Sequence, residues 1–310
     1  IEEGKIYRIK NKRYGTYIGI FASDINKAHV NAADNSAANQ LWQVEKSGDN
    51  FIFKNLNRKM YLSTIAGGSG VTTNFAEKDA AGVYSASIVI PGYFELKNDN
   101  KPVQSGNDGS LNWWYDSDGT ARWAFIEATE LDIPLNTAAG ASYATAYLPF
   151  SVSSAEGADL YTGVVNGDVL NLTKSHEGVA AEQAIVLIGE SGAEKATVKI
   201  GEGTATSTGI DGTLMPKTVA AKEVLTLGKS GDEVGFFAFT GTQVAANKAY
   251  INGTSGVQGV RFIFDDVTGI HEAVTTDADN APIYDLSGRR VVKTVKGGLY
   301  IQNGKKFIVR

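Results

Sequence analysis

A short phrase that occurs three times in the first hundred residues restricts this chain more than anything else in it. Tyr7-Arg8-Ile9-Lys10-Asn11, Phe51-Ile52-Phe53-Lys54-Asn55 and Phe94-Glu95-Leu96-Lys97-Asn98 each run aromatic, variable, apolar, Lys, Asn. Alternation with a period of two gives a strand one buried face, and Asn suits the turn that follows. The three Asn stand about 43 residues apart. A second short strand follows each turn: Tyr17-Ile18-Gly19-Ile20, Tyr61-Leu62-Ser63-Thr64 and, as a poorer copy, Pro102-Val103-Gln104-Ser105. Late in each unit an aromatic recurs, at Trp42, Tyr84 and Trp123. Three such units can close a barrel about a threefold axis without leaving sheet edges open. A propeller of four-stranded blades has a similar period, but three blades do not close a ring. The expectation is a β-trefoil over residues 1–130, with those three aromatics at corresponding places inside.

Asn39-Gln40-Leu41-Trp42 resembles the Gln-x-Trp signature of ricin-B-type lectin domains, and it follows Tyr17-Ile18-Gly19-Ile20 at about that family's distance. The resemblance spans roughly residues 3–130. Ala121-Arg122-Trp123 keeps the Trp without the Gln, and Gly82-Val83-Tyr84 keeps only an aromatic. It implies a carbohydrate-binding, lectin-like role. In that family an Asp just after the second strand's apolar residues takes two sugar hydroxyls. Gly19, Ser63 and Gln104 occupy the matching positions here, and none supplies a carboxylate. Gln40 and Trp42 read as structural, the indole filling the core and the amide bonding a turn.

The sequence Leu111-Asn112-Trp113-Trp114-Tyr115-Asp116-Ser117-Asp118-Gly119 is an aromatic loop. Alternate residues of a strand face opposite sides, so Trp113 and Tyr115 cannot both be buried together with Trp114. At least one ring should face out beside Asn and Asp. A ring stacks on the apolar face of a pyranose while neighbouring polar groups take its hydroxyls. Trp113, Trp114, Tyr115, Asn112 and Asp116 are therefore the candidate ligand-binding residues, joined by Asn39 beside the Gln-x-Trp phrase. The bland alternative is that one indole plugs the barrel and Tyr115 is an ordinary surface residue.

After Glu130 small residues rise and Trp disappears. Leu131 to Asn136, with Pro134, reads as a passage between domains. Strand candidates follow at Thr145–Phe150, Val164–Leu172, Ala184–Ile188, Lys195–Ile200, Glu223–Leu227, Gly235–Phe239 and Gly259–Phe264. Turn signals stand at Asn166-Gly167, Ser191-Gly192, Asp211-Gly212, Ser230-Gly231 and Asn252-Gly253. Short strands with regular turns read as a β-sandwich or jelly-roll over 131–270. The phrases Leu148-Pro149-Phe150, Leu225-Thr226-Leu227-Gly228 and Val234-Gly235-Phe236-Phe237 resemble a β-domain of Bacteroidetes-type secreted and surface proteins. Residues 271–310 read as a linker, Glu272 to Ala281, and a small β-module with a hairpin at Asn303-Gly304. Tyr284-Asp285-Leu286-Ser287-Gly288-Arg289 and the closing residues are similar to C-terminal sorting tails of type IX secretion. That similarity implies export to the exterior, the outer-membrane surface or the periplasm, and the start at Ile1 fits a mature form whose signal peptide is gone.

The fold class expected is all-β throughout. A net charge of −5, with Lys and Arg dispersed, leaves no footprint for nucleic acid. No apolar run approaches the ~20 residues of a membrane span. With no Cys, thiolate metal sites, disulfides and cysteine catalysis are excluded. His29, His176 and His271 show no metal-ligand spacing and no motif Ser nearby. Gly189-Glu190-Ser191-Gly192 and Gly253-Thr254-Ser255-Gly256 lack the last Gly of a nucleophile elbow and read as turns. Gly201-Glu202-Gly203 lacks the rest of a dinucleotide fingerprint. Asp116-Ser117-Asp118-Gly119 and Asp265-Asp266 offer only a fragment of a Ca²⁺ loop. No catalytic residue, metal or cofactor is assigned. The expected protein is a monomeric, non-catalytic glycan binder. The rivals are a surface protein that binds a protein partner, and a glycan-directed hydrolase that would need a pocket around His176 and Glu177.

Overall fold

The computed structural model describes residues 1–114, 118–253, 259–264, 283–285, 290–291, 296, 299–302 and 305–308. Among them there are strands and three short 3-10 turns, and no α-helix. The chain divides into two compact units, Ile1–Asp265 and Asp266–Arg310.

The three repeated phrases form strands Ile6–Asn11, Asn50–Asn55 and Tyr93–Asn98. The strands that carry the late aromatics, Trp42–Ser47, Tyr84–Ile90 and Arg122–Glu127, alternate with them. Their pairings run in a closed ring of six, each strand hydrogen-bonded to the next and the last to the first. The register repeats around it. Tyr7, Phe51 and Phe94 stand opposite Trp42, Tyr84 and Trp123, and these in turn stand opposite Asn55, Asn98 and Asn11. A closed ring has no edge strand, which is why three short units suffice. The first part of the chain is a β-trefoil.

Hydrogen bonds repeat with the same symmetry. Trp42 Nε1 donates to Ile18 O and Trp123 Nε1 to Val103 O, each at 2.8 Å, and the Tyr84 hydroxyl donates to Ser63 O. All three rings are fully buried, and burial pushes the Tyr84 phenol far above its usual pKa, so it remains a donor. Asn11, Asn55 and Asn98 donate through Nδ2 to Thr120 O, Asn39 O and Val83 O. Their Oδ1 atoms accept from the backbone N–H of Arg13, Arg58 and Ile65 at 3.0 Å. The Asn that ends each phrase thus holds two otherwise orphaned loop groups. Gln40 likewise bonds Ala32 O and Asp34 N, so the Gln-x-Trp phrase is structural.

Three hairpins cap one end: Tyr17–Phe21 with Asp24–Asn31, Met60–Leu62 with Phe75–Ala76, and Gln104–Ser105 with Leu111–Asn112. Backbone bonds lace them together, Ala28 N to Thr73 O and Thr73 N to Leu111 O, each 2.8 Å.

Residues 131–136, expected as a passage between domains, fold mostly as regular strand. Glu130–Pro134 is a strand paired along its length with Lys195–Ile200, Leu131 opposite Val198 and Ile133 opposite Ala196. Leu131, Ile133 and Leu135 are buried with period two, a pattern that Pro134 disguised. Val152–Glu156 completes a three-stranded sheet. It packs with a ten-stranded sheet in which one pair, Val169–Lys174 with Gly259–Phe264, is parallel. Val164–Leu172 is two strands, joined at a turn where Asn166 faces Val169 and Gly167 has φ +64°. Asp211-Gly212 is strand rather than turn, paired with Ala249 and Tyr250. Gly212 is there for contact: a Cβ would lie 2.1 Å from the Tyr147 ring.

The trefoil and the sheets after it share a core. Ala38, Leu41 and Leu56 cluster with Leu131, Leu148, Phe150 and Val198. Asn57 and Asn247 exchange amide hydrogen bonds at 2.7 and 3.1 Å, and Asn57 also donates to Leu214 O at 2.6 Å. Arg8, buried, donates to Asn35 O at 3.0 Å and reaches Glu130 O.

In the second unit, Ile283–Tyr284, Arg290–Val291, Leu299–Gln302 and Lys305–Ile308 form a four-stranded sheet. Gln302 pairs with Lys305; Asn303 and Gly304, expected at a hairpin tip, lie outside the described residues. The expected linker, Glu272 to Ala281, also lies outside them.

Candidate functional site

The third hairpin of the cap opens onto a cleft of about 330 Å³. Its walls come from the 104–112 hairpin, from Ser69 and Gly70 of the neighbouring hairpin, from Tyr14, and from Trp114, Asp118 and Thr120. Two short turns set its polar groups. In the first, Asp108 Oδ1 accepts from Ser110 N at 3.0 Å and Ser110 Oγ at 2.6 Å, and Gly106 N closes the loop onto Ser110 O. In the second, Asp118 Oδ1 accepts from Thr120 N and Oγ1 at 2.8 and 2.6 Å, capping the turn Gly119–Ala121, while Oδ2 meets Arg13 Nη1 at 2.8 Å. Both are Asp turns of the i to i+2 kind. The Ser110 hydroxyl and amide hold the Asp108 carboxyl below its ordinary pKa, and those of Thr120, helped by Arg13, do the same for Asp118. These two are the only charged side chains among the described residues of the wall.

His29 supports the Asp108 loop from behind. Its Nε2 lies 3.1 Å from Asp108 O, its Nδ1 3.0 Å from Asn31 Oδ1, and its ring stacks on Phe21 at 4.3 Å. Gly109 is required twice over at this point. Its φ is +82°, and a Cβ would sit 2.1 Å from His29 Cε1.

The two described aromatics of the loop differ in exposure. Trp114 lines the cleft with half its surface exposed. Trp113 is half-buried on the backbone of Gly67, where a Cβ would be 2.5 Å from its Nε1, and Lys101 Nζ lies 5.2 Å above its ring. Trp113 packs against the trefoil core as a partly buried side chain, while the fully buried aromatic places are taken by Trp42, Tyr84 and Trp123. Asn112 lines the cleft but is buried, and its Nδ2 is shared among Gly68 O, Val71 O and Ser110 Oγ at 3.0 Å. It braces two loops. Tyr115 and Asp116 lie outside the described residues. Asn39 is not part of this wall; it sits beside Gly19 in the first unit.

The three positions at which the resemblance would place a sugar-binding Asp are filled. A Cβ on Gly19 would meet Asn31 Nδ2 and Gln40 Cγ at 3.0 Å. Ser63 presents its carbonyl to Tyr84, and Gln104 is buried with Nε2 3.3 Å from Thr120 Oγ1. Asp108 was not among the sequence candidates. Its signal was Gly106-Asn107-Asp108-Gly109, which reads as a turn and gives no hint that the turn faces Trp114.

Elsewhere, His176 and Glu177 are exposed, and Glu177 Oε2 accepts from Thr204 Oγ1 at 3.2 Å. No group of three or more His, Asp and Glu able to hold a metal occurs among the described residues, which exclude Asp116, Asp265, Asp266 and His271. No helix among the described residues is long and apolar enough to cross a membrane.

No protein-family model matches the sequence, and no curated protein matches it. Solved structures do. A ricin B-like lectin of Macrolepiota procera in complex with lactose is 17% identical, with a TM-score of 0.35, over 41% of this chain and 99% of that one. The Rhizoctonia solani agglutinin is 14% identical, with a TM-score of 0.35, over 41% and 98%. A GlcNAcα1-4Gal-releasing endo-β-galactosidase of Clostridium perfringens is 18% identical, with a TM-score of 0.34, over 40% of this chain and 32% of that enzyme.

Proposed function

We propose that this chain is a non-catalytic carbohydrate-binding protein that takes a glycan in the cleft beneath Trp114. One observation carries the reading: an indole with half its surface exposed stands on the rim of an otherwise polar cleft about the size of one or two sugar rings. The exposed ring offers stacking area for the apolar face of a pyranose. Asp108, Ser110 and Thr120 offer acceptors and donors for its hydroxyls. The resemblance of residues 3–130 to ricin-B-type lectin domains supports the same reading. With the Asp positions of that family filled by Gly19, Ser63 and Gln104, the contacts to hydroxyls come from the Asp108 and Asp118 turns instead.

The division into a trefoil, a sandwich that carries it and a C-terminal module belongs to this proposal. So do the monomeric state and export to the cell exterior by a type IX-like route, which rest on the tail phrase beginning at Tyr284. A second reading, adhesion to a protein partner, draws on a different place. Ile88 is 72% exposed on the Tyr84–Ile90 strand, with Ile90 and Ile126 exposed as well.

Titration of the full chain with a panel of neutral mono- and disaccharides, followed by the Trp indole N–H signals in NMR, tests the glycan reading. A perturbation confined to the cleft, with Kd near ~1 mM for a single ring, is the expected result. Absence of any response across the panel, or an unchanged response in Trp114→Ala, overturns it.

A further inference from the structure

We infer that the cleft selects its saccharide by charge, favouring one that bears an ammonium group over its neutral counterpart and rejecting acidic sugars; this rests on the glycan reading above. The two carboxylates of the wall are not equivalent. Asp118 is committed, Oδ1 to Thr120 and Oδ2 to Arg13. Asp108 uses only Oδ1, on Ser110, and its Oδ2 makes no hydrogen bond among the described residues. That oxygen faces Gly70 across the cleft, 3.8 Å from where a Cβ would stand. The cleft therefore presents one uncommitted anionic oxygen. No cation among the described residues of the wall answers it. Arg13 is paired with Asp118, Lys101 lies over Trp113, and His29, outside the wall, meets the backbone carbonyl of Asp108 and, after the Ser110 hydrogen bonds, adds a lesser electrostatic pull on its carboxylate.

A protonated sugar amine is a donor with nothing but acceptors to satisfy in Asp108 Oδ2, and a cation is also drawn to an indole face such as Trp114. A carboxylate or sulfate on the ligand would meet the like charge of Asp108 instead. Gly70, with φ +71°, leaves this side of the cleft without a side chain; a Cβ there would stand in ordinary contact with Oδ2.

The test uses matched methyl glycosides in the gluco, galacto and manno series: the neutral hexoside, its 2-amino-2-deoxy form and its uronic acid. Each is titrated into the full chain near pH 6, with the sugar amine protonated, at about 20 mM and about 500 mM NaCl. In at least one series the amine should bind about three- to tenfold more tightly than the neutral sugar at low salt, the scale of a partly exposed ion pair with an aromatic neighbour. The uronic acid should bind most weakly, and the spread should shrink at high salt. Asp108→Asn retains an acceptor for Ser110 and should bring the ratio of amine to neutral affinity to about one. The salt series on the unmodified protein probes the same charge contact without a variant. If the neutral sugar binds but the amine gains nothing, or the gain survives high salt, or Asp108→Asn keeps it, the charge selection is wrong and the glycan site stands. If none of the nine ligands binds, the glycan reading itself has failed.

Discussion

The pseudo-threefold core makes a quantitative prediction about Trp42 and Trp123. Each is fully buried, and each donates Nε1–H to a strand carbonyl at 2.8 Å, Ile18 O in one unit and Val103 O in the other. Replacement by Phe removes the donor and leaves a buried carbonyl without it, costing about 1–3 kcal/mol. It also opens a void of roughly 40 Å³, which at ~24 cal/mol per Å³ adds about 1 kcal/mol. Trp42→Phe and Trp123→Phe should each destabilise by about 2–4 kcal/mol. Tyr84→Phe removes the corresponding donor to Ser63 O without opening the void, so about 1–3 kcal/mol is expected there. Urea unfolding monitored by far-UV circular dichroism and by Trp fluorescence measures all three. The m-value should stay constant if each variant keeps the barrel. A loss below about 0.5 kcal/mol in Trp42→Phe, or values for the two Trp variants that differ by more than about 2 kcal/mol, would refute equivalence of the units.

Other expectations concern the loops and the junction. Gly109→Ala forces a side chain into the left-handed region and onto His29, and should abolish saccharide binding while costing about 1–3 kcal/mol of stability. Asn57→Ala removes the reciprocal amide pair with Asn247 and the bond to Leu214 O; a loss of about 2–3 kcal/mol by urea unfolding is expected, and one under about 0.5 would show the junction to be loosely held. The Asp108 carboxyl has a folded pKa below its unfolded one, so its contribution is present above the ordinary Asp range and is lost as pH falls through the depressed value. Carboxyl ¹³C titration should therefore place its midpoint below that of a model Asp; a midpoint at or above the model value would contradict the Ser110 turn. Tyr61, buried and donating to Glu45 at 2.7 Å, has its pKa pushed up to about 12, first by burial and then by that bond. Its stabilising effect is complete below the unfolded phenol pKa and fades as pH rises toward about 12. Difference absorbance should show the same phenol ionisation around pH 10 in Tyr61→Phe as in the unmodified chain; a smaller amplitude in the variant would mean that Tyr61 titrates like an ordinary phenol.

The repeats and the packing carried different kinds of information. Tyr7, Phe51 and Phe94, the Lys-Asn endings, and Trp42, Tyr84 and Trp123 announced the barrel, because a closed ring of short strands needs the same alternation and turn residue in every unit. In the aromatic loop, alternation asked only that at least one ring face out; Trp114 has half its surface exposed, and Tyr115 lies outside the described residues. Local pattern misled where a residue serves a distant contact. Pro134 resembled a break, yet Lys195–Ile200 pairs with the strand it ends; Gly212 resembled a turn, yet it makes room for Tyr147. The cleft was decided by tertiary structure alone. Asp108, Gly70 and Trp114 each belong to their own local turn or strand end, and Gly70 lies in a different hairpin from the other two. Only the lacing of the three hairpins over the barrel, Thr73 to Leu111 and Val30 to Gly109, brings them around one space. A turn's own hydrogen bonds fix its shape, but what it faces depends on the closure of the barrel beneath it.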